Sequence, residues 1–82
     1  MSEERPDEVR RIEKASELGW YSMPNGAWAN PNHNGVVKRH YNKFLYTTNI
    51  DCNRVEWLDG SQFWSETILM CEARLERERK NL

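Results

Sequence analysis

Eighty-two residues allow a single small domain, and a net charge of −1 excludes a strong overall attraction to nucleic acid or to an anionic membrane. No apolar run approaches the roughly 20 residues that span a bilayer, and residues 1–9 lack the apolar region of a signal peptide. The chain is therefore expected to be soluble and cytoplasmic, a single domain over residues 1–82 with residues 1–5 and 76–82 frayed.

A core of this size buries only about 60–65 % of the unfolded surface. The nine aromatics, four of them tryptophan, are then its main resource, since each ring can bury roughly 150–250 Å². Two cysteines, Cys52 and Cys71, fit a reducing compartment, and the expectation is two free thiols.

The first expected element is a short helix over residues 6–18. Pro6 suits a first helical turn, Asp7 and Glu8 sit where the helix dipole favours negative charge, and Gly19 is a left-handed stop. Its apolar stripe, Val9, Ile12, Ala15 and Leu18, is thin, so the helix must lie across something else. Residues 20–23 and 27–30 flank Pro24-Asn25-Gly26 and read as a hairpin. Residues 31–35 form a second turn-rich break ending in Asn34-Gly35.

Residues 36–41 and 44–48 read as the next two strands around a turn at Asn42-Lys43, or as one long bent strand. A fifth strand is expected over residues 54–58, with Val55 and Trp57 on one face. The last element is a helix capped by Asp59, with Gln62 completing a capping box and Leu58 stapled onto Phe63. Trp64, Ile68, Cys71 and Leu75 fall on one side of it, with Thr67 beside them. Arg74 with Glu78, and Glu76 with Lys80, are pairs four residues apart. The fold class that follows is α+β: a short N-terminal helix, a small antiparallel β-meander of four to five strands, and a capped C-terminal helix packed on the sheet.

Charge is distributed in three blocks. Residues 1–17 and 51–82 each carry a net −2, while residues 18–50 hold Lys38, Arg39 and Lys43 and no acid. The same stretch holds Trp20, Tyr21, Trp28, Tyr41, Phe44 and Tyr46. Strands disfavour acids in any case, so the charge evidence narrows to the basic strand beside exposed aromatics.

Catalytic motifs are absent: there is no G-x-S-x-G, H-E-x-x-H, P-loop or G-x-G-x-x-G. His33, His40, Cys52 and Cys71 lack the short spacings of a chelating pair, so no metal and no cofactor is expected. Asp51 and Cys52, as neighbours on an extended backbone, point apart and do not suggest a nucleophile with its orienting acid.

The reading is a non-enzymatic binding protein that regulates or inhibits another macromolecule by covering a functional surface. Its most favoured partner is another protein, and its own state is a monomer or a homodimer. Short, cysteine-poor, aromatic-rich domains of this sort are frequent among phage and mobile-element accessory proteins. The expected binding residues are Trp20, Tyr21, Trp28, Lys38, Arg39, His40, Tyr41 and Lys43. The alternative is a module for single-stranded nucleic acid that uses the same basic, aromatic sheet. With three cations its affinity would be weak and sensitive to salt.

Overall fold

The computed structural model describes residues 6–80, so the fraying expected of residues 1–5 and 81–82 lies outside the described residues, while residues 76–80, expected to fray with them, are helical. Seven elements follow in order: α1 (Pro6–Glu17), β1 (Tyr21–Ser22), β2 (Trp28–Ala29), β3 (Val36–His40), β4 (Lys43–Thr47), β5 (Leu58–Asp59) and α2 (Trp64–Lys80). The strands form one antiparallel meander in the order β1-β2-β3-β4-β5. The result is an α+β fold in which α2 packs on β3 and β4 and α1 packs on α2.

The stop of α1 follows from Gly19. Its φ of +101° lets the Trp20 N–H reach the Ala15 carbonyl at 3.2 Å and the Gly19 N–H reach Ser16 at 3.0 Å. This pair of bonds is a Schellman closure. It also throws Trp20 into the core beside Ala15. The β1–β2 loop closes on a turn with Pro24 and Asn25 at its centre, sealed by Gly26 N–H to Met23 O at 2.9 Å. Gly26, at φ +87°, then turns the chain into β2.

The helix-facing side of the sheet carries Trp28, Val37, Phe44, Tyr46 and Leu58. Val37 and Tyr46 are direct partners, as are Trp28 and Val37, and Tyr46 and Leu58. Against this side α2 sets Ile68 and Cys71, both fully buried, with Trp64 and Leu75 at the margins. The stripe expected for the last helix is therefore the one that packs.

Two expected elements move. The fifth strand was expected over residues 54–58, but pairing occurs at Leu58 and Asp59, opposite Tyr46 and Leu45. It continues through Gly60 N–H to Phe44 O and Phe44 N–H to Ser61 O, both 2.8 Å. Glycine is what allows this: a Cβ on Gly60 would stand 2.6 Å from Phe44 O and 2.5 Å from Thr67 Cγ2.

With Asp59 drawn into the sheet, the capping box it was to form with Gln62 does not exist, and α2 starts at Trp64. Ser61 takes over instead. Its hydroxyl accepts the Phe63 N–H at 3.3 Å and donates to Glu66, while its own N–H donates to the Thr67 hydroxyl at 3.0 Å. Phe63, expected to be stapled under Leu58, is half exposed. The Asn42-Lys43 turn also shifts by one residue: Tyr41 and Asn42 form it, and Lys43 opens β4 opposite His40.

Among the described residues no helix is long and apolar enough to cross a membrane.

Gly60→Ala should test the close approach of β5 to β4. The added methyl meets backbone that cannot withdraw without breaking the ladder, so a loss of about 1–3 kcal/mol is expected in urea denaturation. An unchanged midpoint would mean that β5 is not held this closely.

Candidate binding surface

Both helices cover the same side of the sheet, so the opposite side is left to loops and solvent. Directly opposed residues of an antiparallel pair share a face, and the register therefore sorts the side chains. Tyr21, Ala29, Val36 and Thr47 form one row across four strands. Lys38, Leu45 and Asp59 form the next, and His40 with Lys43 forms the last. The alternation puts all of these on the side away from α2.

Five of the eight residues expected from sequence thus belong to this side or its tip: Lys38, His40, Tyr41 and Lys43 gather at the β3–β4 end, while Tyr21 lies on the edge strand β1 in the row farthest from that end. Lys43 is a correction. An unbroken count along the strand puts it with Arg39 and Tyr41, opposite Lys38 and His40. The two-residue turn reverses the chain, so Lys43 returns on the His40 side. Arg39 goes to the other face, opposite Phe44, with its guanidinium 5.8 Å from the Phe44 ring centre.

Each cation on the open side is held. The Lys38 ammonium lies 4.2 Å from the ring centre of Trp57, a cation–π contact. Lys43 Nζ donates to Asp59 Oδ1 at 2.9 Å. Trp57 and Asp59 were not expected here: Trp57 was counted as part of a strand, and Asp59 as a helix cap. Nothing local in the sequence says that the 49–57 loop returns Trp57 over Lys38.

At the tip, Tyr41 is 85 % exposed and has φ of 58°. Its ring meets His40 edge-on at 4.7 Å. Two-residue hairpin turns need left-handed backbone, which glycine or asparagine supplies most easily. Here it falls on the aromatic residue and not on Asn42. For a side chain of this kind the left-handed conformation costs about 1–2 kcal/mol.

Trp20 and Trp28 separate from this group. Trp20 is buried in the core. Trp28 is half-buried and stacks face to face on Trp64, with ring centres 4.1 Å apart. Both border a recess of about 310 Å³ on the helix side, shared with Ile12, Ala15, Ser16 and Trp64.

A second polar cluster lies under the loop before β3. Glu72 Oε2 accepts the Trp20 indole N–H at 2.8 Å and stands 2.9 Å from His33 Nε2. The Gly35 N–H donates to His33 Nδ1 at 3.0 Å. With Nδ1 accepting, the ring proton sits on Nε2 and donates to Glu72. Both imidazole nitrogens are occupied, and neither is free to take a proton from a substrate in this arrangement. The cluster ties the loop and the end of α1 to α2.

The two thiols are free, Cys52 exposed and Cys71 buried. Burial first, and then the negative charges of Glu72 and Glu78, push the Cys71 thiol from its ordinary 9.0 up to about 12. Its Sγ points at the Thr47 carbonyl at 3.5 Å. Among the described residues no three His, Cys, Asp or Glu side chains gather as a metal cluster. No protein family, curated relative or solved structure matches the chain.

Two outcomes are expected. Glu72→Leu strands the Trp20 and His33 donors and should cost about 1–3 kcal/mol in chemical denaturation, while Glu72→Gln, which keeps an acceptor oxygen, should cost clearly less. Native protein treated with iodoacetamide at pH 8 should take one label, at Cys52, by mass spectrometry. A folded thiol raised to about 12 stabilises the protein fully below pH 9. That contribution is lost as pH climbs from 9 towards 12, so second labelling should appear only there.

Proposed function

We propose that this protein is a non-enzymatic binding protein that regulates or inhibits another protein by covering part of its surface. The contact surface is the open side of the sheet together with the β3–β4 tip. The observation that carries the reading is Tyr41: a large aromatic, 85 % exposed, kept in a backbone conformation that favours glycine. Strain of this kind, uncompensated by local packing, points to selection for contact with something outside the chain. Tyrosine is also a residue type enriched at the centres of protein interfaces.

Binding to single-stranded nucleic acid is less well supported. Lys43 is already neutralised by Asp59, and Arg39 stands on the opposite face from Lys38. A base-stacking platform needs cations beside its exposed rings on one face, and this surface offers few free ones.

Tyr41→Gly separates function from stability. The glycine relieves the left-handed strain but makes the unfolded chain more flexible, so stability should change by no more than about 1 kcal/mol in either direction. Proteins retained from native-host extract by the immobilised wild-type chain should be lost with the variant. Retention of the same proteins by both, or quenching of tryptophan fluorescence by an oligonucleotide at low salt, would count against the proposal.

A further inference from the structure

Resting on the protein-binding reading, we infer that the partner receives the β3–β4 tip in a concave recess lined by carboxylates. Shape gives the first half of the argument. Tyr41 stands at the apex of a two-residue turn, with His40 and Lys43 directly paired behind it and Arg39 and Phe44 paired behind them. A flat partner would touch Tyr41 and leave both flanks in water. A recess touches the ring and both flanks together. It also supplies the acceptor that a buried tyrosine hydroxyl requires.

Charge gives the second half. Residues 38–43 hold Lys38, Arg39 and Lys43 and no acid, and the sequence has none from residue 18 to residue 50. Among the described residues the carboxylate seen paired to these cations is Asp59, on Lys43. Lys38 and Arg39 instead rest on Trp57 and Phe44. Aromatic faces hold a cation in place and leave its charge intact. Two positive charges are therefore presented on opposite flanks behind the tip, each beside an aromatic ring and not a carboxylate, as an acidic wall on either side would require.

In a two-fold dimer formed through the tips, a second copy of this chain offers the same basic side chains and would meet them with repulsion. Phosphate chains remain a poorer match, because few contacts of this kind give weak binding that salt removes.

A photo-crosslinking phenylalanine placed at position 41 of the full chain, in cells that carry it natively, tests the inference directly. Circular dichroism first checks that the fold is kept. The expected product is a cross-link to another protein, inside a recess where Asp or Glu side chains surround the linked residue. With that protein purified, affinity should fall by roughly tenfold or more between about 0.05 and 0.3 M salt. It should fall comparably for the double variant Lys38→Glu, Arg39→Glu.

A cross-link to a neutral, basic or convex protein surface, or affinity indifferent to salt, overturns the acidic recess and leaves protein binding standing. A cross-link to nucleic acid or to a second copy, or none at all, overturns both.

Discussion

The structure depends on one helix covering one side of a small sheet. Ile68 and Cys71 of α2 and Val37 of β3 are fully sealed from water, and the other core side chains gather around them. At this chain length a second packed layer is out of reach, because too little apolar surface is available to bury. Polar contacts from successive turns of the same helix hold it in register. Thr67 bonds Ser61 where β5 ends, Cys71 faces the Thr47 carbonyl, and Glu72 gathers Trp20 and His33. Thr67 and Cys71 stand one turn apart and Glu72 is next to Cys71 on a neighbouring face, so these groups fix rotation and translation of the helix together. Removing any one leaves a buried or partly buried donor or acceptor without that partner.

That single cover leaves the other side of the sheet open, and the open side carries the candidate surface. The same parity rule that sends Val37 and Tyr46 inward sends Lys38, His40 and Lys43 outward. The tip then departs from the most stable local choice. An Asn or Gly in the left-handed position would be easier than Tyr41. The molecule is thus consistent with its fold almost everywhere and inconsistent at one exposed aromatic. Local conflicts of this sort are expected where function overrides foldability.

Legibility tracked the range of the forces involved. The α1 stop at Gly19, the Pro24-Asn25-Gly26 turn and the Ile68–Cys71 stripe rest on backbone preferences and helical spacing within a few residues, and all were readable. Asp59 misled because its local signal was a sound one, an acid three residues before Gln62. It lost to a ladder with β4 that Gly60 makes possible across 16 residues of chain. In the candidate surface the basic strand and Tyr41 were visible. The side taken by Lys43 was not, because a count along one unbroken strand sends it to the Arg39 side, whereas the two-residue turn pairs it with His40.

By itself the sequence determined the class of the protein: two terminal helices around a meander, a thin amphipathic first helix, a strongly patterned last one, and a basic, aromatic centre without catalytic motifs. Those features follow from composition, periodicity and turn chemistry, which act locally. Tertiary structure alone decided which aromatics are core and which are surface. Trp20 is taken inward by Glu72 and by its place after the α1 stop, Trp28 is taken by Trp64, and Trp57 is brought over Lys38. Tyr41 is left outside because a two-residue turn has no interior. An aromatic side chain carries the same hydrophobicity at every position, and only the partners that the fold brings to it determine whether that surface is buried.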